Sequence, residues 1–163
     1  MLMLISDANI LIDMEAGGVL SSFFRLPYRF AMPDLLYVEE IEEGTPGLDK
    51  HGLQLLEVRA EFVDYALSLR DEYGNGPSHN DYLALALAVQ EGCPLLTGDG
   101  NLRIVAEAVN VDFKGTIWLL REMMVHGLHS REQLLDVLVL MRSRGRRLPW
   151  TLAESELLKE LKQ

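Results

Sequence analysis

Cysteine is all but absent from this chain. Cys93 is the single thiol in 163 residues, which excludes an intramolecular disulfide framework and a multi-cysteine zinc centre. Beside Pro94 at the head of an apolar run, it reads as a small buried side chain in a reducing, cytoplasmic setting. Histidine is scarce as well: His51, His79, His126 and His129 share no metal-ligand spacing and read as surface or helix-end residues, His79 lying nearest an acidic motif. Basic charge is short, with 15 Lys and Arg against 25 Asp and Glu and a formal net charge of −10. That balance argues against broad attraction to polyanions, since neutralised phosphates drive most non-specific nucleic-acid binding. It is relieved locally in Arg142-Ser143-Arg144-Gly145-Arg146-Arg147, with Arg121 and Arg131 in the same half. As local structure this run is a helix ending in arginines that suit the negative end of its dipole, with Gly145 as the cap.

Long uncharged apolar runs are missing too. Met1-Leu2-Met3-Leu4-Ile5 is interrupted by Asp7 and preceded by no basic residue, so it reads as a buried first strand and as neither a secretory signal nor a membrane span. There is no internal repeat, low-complexity tract or linker. With 48% hydrophobic and 25% charged residues, the chain suits one well-packed core and is too short for two ordinary domains. The expected organisation is a single domain over 1–163, with a core of about 1–116 and a helical C-terminal part from 117.

What the chain does contain is an alternation of strand and helix periods. Leu2–Ser6 reads as a strand, Ala8–Gly17 and Val19–Leu26 as helices, and Arg29–Met32 as a strand stopped by Pro33. Asp34–Glu43 returns to helix, Leu53–Val58 offers a third strand, and Ala60–Tyr73 carries a helical apolar stripe ended by Gly74-Asn75-Gly76-Pro77. Ser78 suits the cap of a helix with Asp81 at its third position, apolar nearly all round through Tyr82–Val89 and closed by Gly92. Pro94–Thr97 and Val111–Phe113 read as strands around a helix Asn101–Val109 capped by Asn101. Helices Ile117–His126, Ser130–Arg144 and Thr151–Lys162 follow, the last two opening on capping-box patterns at Ser130 and Thr151. This order predicts a three-layer α/β/α sandwich on a mostly parallel sheet of about five strands.

Four acids stand at particular stations of that order: Asp7 after the first strand, Glu40 within Asp34–Glu43, Asp81 in Ser78-His79-Asn80-Asp81, and Asp99 after Pro94–Thr97. In a parallel sheet, the strand ends carrying Asp7 and Asp99 share the edge where open α/β sheets place their ligand crevice. Taken singly, each acid has an ordinary structural use: a helix cap at Asp7, a first-turn acid at Asp81, a turn at Asp99-Gly100, a solvated face for Glu39, Glu40, Glu42 and Glu43. Taken together they form an oxygen donor set for a hard divalent cation. Two such ions about 4 Å apart hold a scissile phosphate and activate a water, so no protein nucleophile is needed; none stands out.

Ile5-Ser6-Asp7-Ala8-Asn9-Ile10-Leu11-Ile12-Asp13, Pro33-Asp34-Leu35-Leu36-Tyr37-Val38-Glu39-Glu40-Ile41, Ser78-His79-Asn80-Asp81-Tyr82-Leu83-Ala84-Leu85-Ala86 and Leu95-Leu96-Thr97-Gly98-Asp99 resemble, in order and spacing, the four acidic motifs of PIN-domain ribonucleases. The resemblance spans Met1 to Thr116. It implies Mg²⁺- or Mn²⁺-dependent cleavage of RNA, often by VapC-like toxins held inactive by a cognate antitoxin, and family members that often form homodimers. Carried over, Asp7, Glu40, Asp81 and Asp99 are the catalytic, metal-binding carboxylates, with Asn9 and Thr97 in support and Arg144 and Arg147 as candidate RNA contacts. Glu39 stays open beside Glu40, which is preferred for the apolar positions Leu36, Val38 and Ile41 around it. Gly100-Asn101 follows Asp99 where many relatives carry a further acid or a Lys, and the helices beyond Thr116 exceed the minimal domain.

Two other classes stand beside this one. A Mg²⁺-dependent phosphoryl-transfer protein, phosphatase or receiver-like, also places an Asp after its first strand, but the phosphatase pattern wants a second acid where this chain has Asn9 and an Asn-Asp pair where it has Leu102-Arg103. A receiver would want paired acids at the first strand end and a phosphoacceptor Asp after the third, and neither is evident. A catalytically silent interaction domain would use its C-terminal helices on a partner and leave four acids without a task.

Overall fold

The computed structural model describes residues 1–161. Five short apolar runs form one sheet, β1 (Met3–Ser6), β2 (Arg29–Pro33), β3 (Gln54–Leu56), β4 (Leu95–Leu96) and β5 (Phe113–Lys114), in the order β3-β2-β1-β4-β5. Every neighbouring pair is parallel, as the alternation of periods predicts, because helical crossovers return the chain in the same direction. The helices among the described residues are α1 (Ala8–Ala16), α2 (Leu20–Arg25), α3 (Asp34–Glu40), α4 (Ala60–Tyr73), α5 (His79–Glu91), α6 (Gly100–Ala108), α7 (Thr116–Val125), α8 (Arg131–Ser143) and α9 (Trp150–Leu158), with a 3₁₀ turn at Leu48–His51.

The helices fall into two packed groups, α4–α5–α6 and α1–α2–α7–α8–α9, with α3 touching members of both. This is the α/β sandwich expected. Its inner helix is α5, where Tyr82 through Ala88 are all buried; the alanines at 84, 86 and 88 remove side-chain bulk where it lies against β1 and β2. Phe23 and Phe30 stack at 3.8 Å between centroids beneath α2. No helix among the described residues is long and apolar enough to cross a membrane.

Strand order positions the site. From β1 the chain builds outward through β2 to β3, then crosses back and adds β4 and β5 on the other side of β1. The reversal leaves a crevice at the carboxyl ends of β1 and β4, the switch point at which such sheets bind ligands.

Several local boundaries differ from the sequence reading, each for a physical reason. Helix α3 stops at Glu40 and not Glu43, since four glutamates at the negative end of a helix dipole oppose its extension. Pro33 ends β2 from within, paired with Leu56, because a missing N–H costs nothing where the ladder stops. Asp99, and not Asn101, caps α6 by accepting from Leu102 N at 2.9 Å. The last strand is Phe113–Lys114 and not Val111–Phe113, because Asn110 turns the chain at φ 61° and the Leu95 N–H donates to the carbonyl of Asp112. Helix α9 begins at Trp150 with Pro149 before it and has no side-chain cap, so the box expected at Thr151 does not form; it ends at Leu158, and Lys162 of the expected helix lies outside the described residues. The boxes at Ser78 and Ser130 do form, and Gly145 adopts the left-handed φ of 83° that follows a helix end.

Candidate active site

The register of β1 against β4 builds the centre of the site. Ser6 pairs with Leu96, so the next residues, Asp7 and Thr97, emerge side by side from two adjacent strand ends. The Asp7 N–H donates to the Leu96 carbonyl at 3.0 Å, which holds the two ends together. Asp7 then caps α1, accepting from Ile10 N at 3.0 Å through Oδ1, while Oδ2 accepts from the Thr97 hydroxyl at 2.5 Å. That same Thr97 oxygen accepts from the Asp99 N–H at 3.1 Å. A single threonine therefore ties together the two strand-end acids, 7 and 99.

The third acid arrives on α5. Asp81 Oδ2 accepts from Ser78 N at 2.9 Å and the Ser78 hydroxyl accepts from Asp81 N at 3.1 Å, the reciprocal box that fixes the first turn. One residue earlier, the Asn80 amide donates to Glu39 Oε2 at 2.9 Å and to Glu40 Oε2 at 3.1 Å. The end of α3 is thus fastened to the start of α5, and the adjacent glutamates share one amide.

Burial makes Asp7 the unusual member. It is fully buried, and its pKa is raised from 3.8 to about 7, chiefly by loss of hydration, against the lowering effect of the bonds from Thr97 and Ile10 N; the charges of Asp81 and Asp13 raise it further. A buried carboxylate beside other acids, with no cation bonded to it, suits a bound positive ion, and the all-oxygen donor set suits a hard one. Among the described residues no three His, Cys, Asp or Glu are placed to hold a metal ion as the side chains stand. Each carboxylate is instead engaged in a cap or an amide bond.

A second network lies beside the first and was not legible in the motifs. Asn9 and Asp13 sit one turn apart on α1, and the Arg146 guanidinium reaches both, Nε to Asp13 Oδ1 at 2.6 Å and a terminal nitrogen to Asn9 Oδ1 at 3.2 Å. Thr116 donates to the other oxygen of Asp13 at 2.7 Å. The i, i+4 spacing of Asn9 and Asp13 was the only local signal for this pair. Of the two arginines singled out by sequence, Arg144 donates to the Ala16 carbonyl at the end of α1, away from the acids, whereas Arg147 lines an open cavity of about 850 Å³. Asn9, Asp13 and Asp99 form the wall of that cavity on the side of the acids. Arg103 also borders it, both donors on the Thr97 carbonyl at 2.8–2.9 Å; a Cβ on Gly115 would lie 2.3 Å from its guanidinium, so the bare glycine makes room for that fork.

Comparison with known proteins bears on the family and the fold. A family model described as a PIN domain matches residues 3–163, a span that includes the C-terminal helices. No curated protein matches the chain.

Proposed function

Because this chain belongs to the PIN-domain family, a nuclease-type fold, we propose that it is a metal-dependent endoribonuclease that hydrolyses RNA phosphodiester bonds with a metal-activated water. The observation that carries the reading is the link from Asp7 through Thr97 to Asp99 at the switch point, with Asp81 close enough to oppose the charge on Asp7. Asp7, Glu40, Asp81 and Asp99 would hold Mg²⁺ or Mn²⁺, Glu39 being the alternative to Glu40. Ions bound there supply a water of lowered pKa and neutralise charge on the phosphate. The protein's own part is positioning: Thr97 and Ile10 N orient the Asp7 carboxylate, the Ser78 box orients Asp81, and Asn80 gathers the glutamates. Asn9, where a phosphatase would want its second acid, is held by Arg146, which favours the nuclease over phosphoryl transfer to the protein.

On this reading residues 1–163 act as one domain, the helices from 117 completing a core of about 1–116. The finer role is that of a cytoplasmic toxin-type PIN protein, with RNA as substrate, a cognate antitoxin as inhibitor and a homodimer as the working form. These parts rest on the motif resemblance. The deciding experiment incubates purified, partner-free protein with a mixed RNA pool in Mn²⁺, Mg²⁺ or chelator, with Asp99→Asn alongside. Cutting that needs metal and disappears in the variant is expected. Absence of cutting with either metal would return the weight to phosphoryl transfer or a silent binding domain.

A further inference from the structure

Thr97 joins the two strand-end acids, and one of its polar groups has a partner outside them. Its hydroxyl serves Asp7 and Asp99, and its N–H donates to the Lys114 carbonyl at 2.9 Å, where the chain leaving β4 lies against β5. Its own carbonyl is left over. β4 stops at Leu96, and among the described residues no backbone N–H reaches the Thr97 oxygen. A carbonyl on a fully buried residue needs a donor. Arg103 supplies two, Nε at 2.9 Å and a terminal nitrogen at 2.8 Å.

A guanidinium fork is shaped for the two oxygens of a carboxylate, yet the ion pairs among the described residues do not include Arg103. Its surroundings aim it at the carbonyl instead. The ring of Phe113 lies against it, 5.1 Å from centroid to guanidinium carbon. Gly115 leaves bare the space that the terminal nitrogen fills; a Cβ there would overlap that nitrogen and stand 3.4 Å from the Thr97 carbonyl oxygen. Phe113 is in β5 and Gly115 follows it, so the edge strand holds a fork that α6 carries.

The consequence falls on Asp99. Between Thr97 and Asp99 stands Gly98, whose backbone freedom lets a turn pivot. The Thr97 carbonyl belongs to the planar peptide that leads into that pivot. Arg103 closes it into a ring of bonds: its side chain holds the Thr97 carbonyl, its own N–H donates to the Asp99 carbonyl at 3.0 Å, and the Asp99 carboxylate accepts from Leu102 N at 2.9 Å. Rotating the Thr97–Gly98 peptide breaks the fork and moves Asp99 with respect to Asp7.

We propose that Arg103 is a positioning residue of the acid site: acting through the Thr97 carbonyl, it fixes the turn from β4 to α6 and thereby the placement of Asp99 against Asp7, and Gly115 provides the room for it. The proposal rests on the nuclease reading for the metal that these acids hold, whereas the clamp is a property of the chain. Its sign separates it from simple electrostatics. A cation near carboxylates opposes a metal ion, so removing its charge alone would tighten metal binding. Losing the geometry loosens it.

Full-length Arg103→Ala, Arg103→Lys and Gly115→Ala are compared with the wild type in two measurements, neither of which needs RNA. The first, in metal-free protein, is hydrogen exchange at the Asp99 amide, which donates to the Thr97 hydroxyl, read against the amides of the buried helix α5. Relative to α5 it should speed up severalfold in Arg103→Ala and in Gly115→Ala. The second is titration with Mn²⁺ alone, the free ion followed by electron paramagnetic resonance. Arg103→Ala should weaken binding by about 10-fold or more, the effect of losing a group that orients a ligand. Arg103→Lys keeps the charge without the planar fork and should fall between alanine and wild type. Gly115→Ala keeps the arginine and displaces it; with φ −135° and ψ −171° the backbone there accepts any residue, so the variant acts by bulk alone and should weaken binding too. Unchanged exchange at Asp99 in both alanine variants, or Mn²⁺ binding in Arg103→Ala as tight as the wild type's or tighter, would overturn the proposal. If Arg103→Ala does not fold, Gly115→Ala and Arg103→Lys carry the same two decisions. Failure of the two readings is separable: a wild type that binds no Mn²⁺ removes the nuclease and leaves the exchange to decide the clamp, whereas metal-dependent cutting with Asp99 exchange indifferent to the variants leaves the nuclease and removes the clamp.

Discussion

The Thr97 hydroxyl donates to Asp7 Oδ2 at 2.5 Å, joining two fully buried side chains 90 positions apart. Nothing local to either residue creates this bond; the pairing of Ser6 with Leu96 does. Thr97→Val keeps the shape, removes the donor and leaves the buried carboxylate short of a partner. The expected cost is about 1–3 kcal/mol of stability, together with a rate about 10–100-fold lower, the usual effect of losing a group that orients a ligand. Thr97→Ser should recover most of both. If Val and Ser behave alike in unfolding and in the metal concentration for half-maximal cutting, the hydroxyl has no positioning role.

Asp7→Asn tests burial against charge. The folded protein holds this carboxyl at about 7 against 3.8 for an unperturbed one, so between those values the folded state binds more protons than the unfolded one. The contribution of Asp7 to stability is therefore fully present below about pH 4 and is lost as pH rises toward 7. In chelator, Asp7→Asn should flatten that fall and melt several degrees higher than wild type at neutral pH, while cutting drops by at least about 100-fold. A variant that melts lower at pH 7 and retains turnover would contradict both halves.

Arg146 and Asp13 bind the C-terminal segment to α1, with side chains 24% and 8% exposed. Arg146→Ala leaves Asp13 with Thr116 alone, and the expected loss is about 3 kcal/mol or less, the Arg being only partly buried. Adding Asp13→Asn to that variant should restore part of the loss, since the uncompensated charge is then gone. Thermal unfolding of the two single variants and the double variant measures the coupling; additive losses would mean that the pair contributes nothing specific.

Glu39 and Glu40 share the Asn80 amide, so geometry alone treats them alike. The motif resemblance prefers Glu40, beside the buried Leu36 and Ile41, although Val38 is exposed. Glu40→Gln should lose most metal-dependent cutting and Glu39→Gln should keep it, measured as rate against Mn²⁺ concentration. The reverse pattern would move the second acid one residue back.

The parts of this protein visible in its sequence are those that short-range physics decides. Strand and helix periods, the capping boxes at Ser78 and Ser130 and the buried face of α5 depend on residues within a turn or two of each other. The four acid stations were visible because each follows a local landmark, a strand end or a helix start. Exact ends were less so: whether Asp99 or Asn101 caps α6 depends on where β4 stops, and that is set by its neighbours in the sheet. The tertiary structure alone decided the rest. Arg146 meets Asp13 across 133 positions, and Arg103, Lys114, Arg121 and Arg147 reach one cavity from four separate segments. No periodicity in the chain encodes those meetings, because they depend on how α8 turns back onto α1, where Val137 and Met141 crowd Gly17 so closely that a Cβ there would lie 2.7–2.8 Å from them. Local order in this chain is a matter of propensity and capping, whereas its charge constellation exists only once the long-range packing has formed.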